Sequence, residues 1–332
     1  MRPDPRVLRV ELIPPPPPPS FEPAARQRYG LAATLFALTF FATTTLGATW
    51  YLLTRRGEVT DLLPWLSPTA VRTVWGDPEL LAIGLLFSVP LLFILLCHEL
   101  GHFLAARYYR LPTTLPYFLP APLGLGTLGA FIRIRAPMAF RRALFDVGIA
   151  GPIAGFVALL PFLFLGVARS VPVPLDPAPP GSETGLLLFV PGNCLAMELA
   201  TRLVHGPLPE GMILDFHPFA LAAWIGLLAT ALNLIPLGQL DGGHILYAVT
   251  GRLQRRLALP LWLTLVLLGL VWPGWLIWGL ALLVLGLRHP PVRDEGRPLG
   301  RLRVGLAVLG LLIFILSFMP IPIDVGAVEE LI

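Results

Sequence analysis

Apolar positions in this chain fall in long unbroken blocks, with polar and charged residues gathered in the segments between them. Residues 31–53, 80–109, 145–167, 219–240 and 304–319 form such blocks. A helix rises about 1.5 Å per residue and a hydrocarbon core is about 30 Å thick, so each block is read as a membrane span. Residues 257–287 are ambiguous: one helix of that length is about 45 Å long and would need strong tilt, whereas two helices would each be short. Pro273-Gly274 sits at the midpoint, and arginines flank both ends (Arg252, Arg255 and Arg256 before, Arg288, Arg293 and Arg297 after), which favours a hairpin of two short helices. Residues 186–204 are interrupted by Pro191-Gly192-Asn193 and predict an interfacial or re-entrant piece, with Glu198 and Arg202 as a solvated i,i+4 pair. The pattern predicts an all-α polytopic membrane protein of about six to eight transmembrane helices.

Composition supports that frame. Hydrophobic residues make up 55% of 332 and charged residues 13%, against about 25% charged in soluble domains, which excludes a soluble globular enzyme. All 24 basic residues are arginine, so the positive net charge carries no expectation of a nucleic-acid partner, and the arginines read better as topology markers. Cys97 and Cys194 cannot make a disulfide framework and read as small apolar fillers. Residues 1–29 hold five arginines and the run Pro14 to Pro19, predicting a disordered, polyproline-II cytoplasmic tail that acts as a spacer or as ligand for a proline-binding module. No cleavable signal peptide is expected there. Residues 30–325 form the membrane-embedded domain, with a catalytic core at about 80–245.

Arg107, Arg110, Arg133, Arg135, Arg141 and Arg142 crowd the segment after the second span, with no acid among them before Asp146. The positive-inside rule therefore runs that span from outside to inside. Residues 170–217 would begin and end outside, and the 219–240 span would return toward the cytoplasm.

The candidate chemistry lies in the second block. His98-Glu99-Leu100-Gly101-His102 sits in its C-terminal half. At about 100° per residue, the two histidines are about 40° apart on one helix face and Glu99 about 60° from His102. Two imidazoles one turn apart can hold one zinc, and the adjacent carboxylate can take a proton from zinc-activated water. Two histidines and a glutamate are costly inside a bilayer unless they are used, which argues against a chance match. A zinc site needs another donor. Asp241, ending the 219–240 span at matching depth, is the leading candidate, with His244 and Asp146 as rivals; taken alone, Asp241-Gly242-Gly243 would read as a turn or helix terminus, and the pairing with HELGH at matched depth favours the ligand role. Asp61, Asp77, Glu79, Glu183, Asp215, His205 and His289 read as loop residues. Gly148, Gly151 and Gly155 in the third span would let another helix or a peptide come close, and with Gly101 they mark where water could reach the metal.

HELGH in one span, followed by Asn233-Leu-Ile-Pro236 and Leu240-Asp241-Gly242 in a later one, resembles the site-2 protease family of intramembrane zinc metalloproteases. Gly129-Ala-Phe-Ile-Arg-Ile-Arg135, Gly151-Pro152-Ile-Ala-Gly155 and Leu287-Arg-His-Pro-Pro291 are most similar to its bacterial and chloroplast branch. The resemblance covers about residues 80–320, and no inserted PDZ or CBS module is visible. It implies one zinc per chain held by His98, His102 and Asp241, with Glu99 as general base. It implies that Asn233 binds substrate or stabilises the oxyanion and that Pro236 breaks the helix to shape the cleft. It also implies a small re-entrant β-hairpin at 124–135, including Phe131 and Ile132, whose partial alternation of apolar residues fits a strand. A free strand edge could pair with an unwound substrate. The implied partners are the lipid bilayer and a transmembrane protein substrate, cut in regulated intramembrane proteolysis. The implied location is a bacterial cell membrane, and the arginine pattern orients the N-terminus and active site toward the cytoplasm. The competing readings are a metal-binding membrane transporter, which would line a path with many polar residues, and a catalytically silent scaffold, which would lack Glu99 or a ligand.

Overall fold

The computed structural model describes residues 27–56, 66–121, 125–136, 138, 140–174, 190–292 and 298–324. The proline-rich run, Asp61, Glu183 and Gly124 lie outside them. Among the described residues, ten helices and six short strands follow in chain order: α1 (Tyr29–Arg56), α2 (Pro68–Gly76), α3 (Pro78–Tyr108), β1 (Tyr117–Pro120), β2 (Thr127–Phe131), α4 (Arg141–Arg169), β3 (Val171–Pro174), β4 (Val190–Pro191), α5 (Leu195–His205), β5 (Met212–Asp215), α6 (Pro218–Leu234), α7 (Asp241–Thr250), α8 (Leu253–Leu268), α9 (Gly274–Leu285), α10 (Arg301–Ser317) and β6 (Ile323–Asp324).

α1, α3 and α4 are long and apolar enough to cross a membrane, and they correspond to the first three blocks. Helix starts follow local chemistry. Asp77 caps α3 by accepting from the amide of Glu79 at 2.8 Å, and Pro78 takes the first helical position, where its missing N–H costs nothing. Ser67 caps α2 in the same way, ahead of Pro68. α2 lies between the first two apolar blocks.

α3 packs between α1 and α4, and α6 packs against both α3 and α4. The largest core cluster joins Phe87, Leu91 and Ile94 of α3 to Leu159 and Leu163 of α4 and Trp224 of α6. Trp224 is fully buried and its Nε1 donates to the Gly192 carbonyl at 2.7 Å, which ties the segment before α5 to the core.

Three expectations need correction. The fourth block is not one helix to Leu240: α6 stops at Leu234 and Asp241 opens α7. Pro236 is the cause, since a proline lacks the amide hydrogen and drives the residue before it out of helical backbone. The hairpin begins earlier than 124–135: β1 and β2 pair antiparallel with Tyr117 opposite Phe131, so strand structure ends at Phe131 and Ile134 makes only an isolated bridge to Thr113. The fold is mostly helical rather than all-α, because β3 pairs with β5 and β4 with β6 in two further two-stranded sheets. Among the described residues, three helices are long and apolar enough for a span.

Residues 257–287 form the hairpin of two short helices, α8 and α9, which the flanking arginines favoured. The piece after Pro191 is the 11-residue α5, too short to span. Its Arg202 and Glu198 form the i,i+4 ion pair on an exposed surface.

Candidate active site

His98, Glu99 and His102 share α3 beyond its midpoint and are buried, at 6%, 5% and 7% exposure. Asp241, the first residue of α7, reaches the same point because the α6–α7 turn folds the chain back. Leu240, immediately before it, has extended backbone, and Gly238 makes the turn with φ +56°. The three donor atoms converge. Asp241 Oδ2 lies 3.3 Å from His98 Nε2 and 3.2 Å from His102 Nε2, and the two Nε2 atoms are 3.1 Å apart. Donors about 2.0–2.1 Å from a tetrahedral zinc stand about 3.3–3.4 Å from one another, so this triangle is one face of such a tetrahedron. It is the single cluster of three His, Cys, Asp or Glu donors among the described residues.

The neighbouring groups prepare that face. His102 Nδ1 donates to the Val147 carbonyl at 2.7 Å, and because a carbonyl only accepts, the ring's lone pair must sit on Nε2 within the triangle. Two glycines of α4 make room. A Cβ at Gly151 would overlap the His102 imidazole, and one at Gly155 would stand 3.1 Å from His98 Cβ and Nδ1. Of the four glycines foreseen as points where water enters, Gly151 and Gly155 are filled by His102 and His98, while Gly148 lies against His244 and Gly101 against the Ala150 carbonyl.

A cavity of about 230 Å³ opens beside the triangle. Glu99, Asn233, Phe131 and Ile132 line it together with the three donors. The Ile132 backbone amide faces the Glu99 carboxylate, so the end of the hairpin and the acid that follows His98 meet at one point. Asn233 Nδ2 lies 3.4 Å from His98 Nε2. Pro236 does not line the cavity; it acts one step back, by ending α6. β2 has one edge paired with β1 and no strand partner on the other among the described residues.

The rivals to Asp241 are occupied elsewhere. Asp146 takes a two-pronged contact from Arg303, 2.8 Å from Nε and 2.6 Å from Nη2, and also accepts from the Tyr109 hydroxyl. His244 lines the cavity but bonds through Nδ1 to His289 Nε2 at 2.9 Å. His289, expected as a plain loop residue, is 4% exposed. No spacing rule links positions 45 residues apart, so its place was not legible.

A family model described as Peptidase family M50 matches residues 86–261, more than half of the chain. The chain belongs to peptidase family M50. The matched stretch runs from α3 into α8 and holds every residue of the donor triangle, so the site-2 protease resemblance of the two-part motif is shown. This M50 chain is 31% identical over 96% of its length to "Probable zinc metalloprotease EGY1, chloroplastic" of Arabidopsis thaliana, of which it spans 58%. It is 34% identical over 61% of its length to "Probable zinc metalloprotease EGY2, chloroplastic" of Oryza sativa subsp. indica, of which it spans 37%. No solved structure matches this M50 chain.

Proposed function

We propose that this chain is an intramembrane zinc endopeptidase that cuts a transmembrane segment of a membrane protein. The observation that carries the reading is the donor triangle of 3.1–3.3 Å edges with Glu99 adjacent, set in a 31-residue apolar helix. His98, His102 and Asp241 hold the metal. Zinc bound there supplies Lewis-acid polarisation, which acidifies water and draws charge onto a carbonyl oxygen.

The chain's own groups do the rest. Glu99 accepts the proton of the attacking water and returns it to the departing amine nitrogen. The Ile132 amide facing Glu99 restrains that carboxylate. Asn233 offers its amide N–H to the scissile carbonyl oxygen as it gains charge. Pro236, by ending α6, creates the turn that brings Asp241 and Asn233 to opposite ends of one short loop. A peptide bond within a helix is shielded, and its freed N–H and C=O groups need partners in a dry site. The free edge of β2, next to the cavity, offers those partners by strand addition.

The shorter apolar helices α6 and α9, with α8 and α10, complete a bundle of six or more membrane-embedded segments around α1, α3 and α4. Residues 30–325 are the membrane domain, and the proline-rich 1–29 segment a cytoplasmic tail. The arginines after α3 put the chemistry near the cytoplasmic face. The membrane is read as a bacterial cell membrane; the chloroplastic names of the relatives favour a chloroplast membrane as the second setting. A metal transporter would need further polar groups along a path, and among the described residues only one group of three or more metal donors is present.

The test is the purified full chain in detergent with model transmembrane substrates, assayed for zinc and cleavage. One zinc per chain and cleavage abolished by Glu99→Gln are expected. Zinc well below one per chain, or cleavage undiminished by Glu99→Gln, would contradict the reading.

A further inference from the structure

His244 follows Asp241 by three residues on α7, so the two side chains share a helix face. Both line the same cavity, yet His244 stands outside the donor triangle. Its surroundings fix which ring nitrogen is protonated. His289 Nδ1 lies 2.6 Å from the Pro290 carbonyl oxygen. A carbonyl only accepts, so that nitrogen carries a hydrogen. Burial holds the His289 imidazole below its ordinary range and keeps it neutral, which leaves its Nε2 bare. Across the 2.9 Å contact the hydrogen must then come from His244 Nδ1. His244 Nε2 is therefore a bare lone pair as well, the reverse of the tautomer that free imidazole side chains prefer in water.

The relay is held rigidly. Tyr247 stacks on His289 with centroids 4.4 Å apart at 28°, and fully buried Gln254 accepts from the His289 amide at 3.2 Å. Gly148 fits against His244, where an added Cβ would lie 3.0 Å from the His244 Cβ. Among the described residues His244 Nε2 has no hydrogen-bond partner. An acceptor without a partner in such a cavity is stabilised when a donor arrives. An unwound substrate brings such a donor, the backbone N–H released from its own helix.

We propose that His244 Nε2 binds substrate by accepting a hydrogen bond from a backbone N–H of the unwound segment, with His289 as the positioning residue that sets its tautomer. This rests on the endopeptidase reading. Substrate is then held from two sides of the cavity, by the β2 edge and by the first turn of α7.

The experiment uses the full chain in detergent. Nitrogen-15 histidine NMR, with the His244 signal identified by its loss in His244→Asn, should show the Nδ1–H tautomer, and His289→Phe should convert it to Nε2–H. His244→Asn keeps a donor toward His289 but removes the acceptor at the Nε2 position. It should weaken affinity for a transmembrane model peptide about tenfold, read in the Glu99→Gln background, and raise KM by the same factor with kcat within about twofold. His244→Gln, whose amide oxygen reaches that position, should restore part of the loss. Masking one peptide N–H by N-methylation should weaken binding to the wild-type site and not to His244→Asn. An Nε2–H tautomer in the wild type, or affinity unchanged in His244→Asn, overturns the proposal. Failure of the endopeptidase reading looks different: no cleavage by wild type, while tautomer and peptide affinity behave as stated.

Discussion

Asp146 and Asp241 are two acids of similar local setting, each in the early part of a helix and each close to the zinc motif, and the molecule uses them in opposite ways. Asp146 faces a guanidinium. Arg303 meets it with two nitrogens and Tyr109 donates to it, so one carboxylate ties α4 to α10 and to the end of α3. Asp241 faces two imidazoles whose lone pairs point inward, and among the described residues no arginine pairs with it. A carboxylate already matched by a fixed cation has little to offer a metal, whereas one set against neutral donors is a ligand in waiting. The difference lies in the partner rather than in depth or helix position.

Four changes break or sharpen that contrast. Glu99→Gln should reduce cleavage by about 10³-fold while zinc content stays at one per chain, because it removes the proton acceptor and none of the donors; zinc loss in this variant would merge the two roles. Gly151→Ala puts a methyl into the His102 ring. Zinc affinity should fall by roughly 10- to 100-fold, measured by chelator competition. Asp146→Ala leaves Arg303 and Tyr109 without their acid in a partly buried place and should cost about 2 kcal/mol of stability. Thermal unfolding would show it, with zinc per folded chain unchanged. The smallest effect is at Glu198, which Arg202 and Asn193 hold below the usual carboxylate range. A lowered carboxyl stabilises the fold above its unfolded value and loses that as pH falls. Glu198→Gln should therefore cost about 0.3 kcal/mol at pH 7, after allowing for its exposure, and that cost should shrink as pH falls below the ordinary glutamate range.

The His98–His102 pair was legible because both residues ride one helix, whose geometry is fixed by the backbone alone. The spans α1, α3 and α4 were legible for the same reason, since continuous apolar runs of that length have few other uses. Asp241 was legible as the leading of three candidates, by its depth and by the Leu-Asp-Gly resemblance; what was not legible is that Arg303, 157 residues away, occupies the rival Asp146. The break at Pro236 was foreseen, but not that Asp241 would open a new helix beyond it. β1 was missed because Tyr117-Phe-Leu-Pro120 shows no alternation and its place comes from pairing with β2 and packing on α1. His289 was placed in a loop correctly, and its burial came from the fold that brings the α9–α10 connection against α7.

Zinc content of the purified chain with Asp241→Ala beside Asp146→Asn tests the central claim most directly. The account predicts about one zinc per chain in the wild type and in Asp146→Asn, and less than about 0.1 in Asp241→Ala. A full zinc retained by Asp241→Ala, or lost from folded Asp146→Asn, would contradict it.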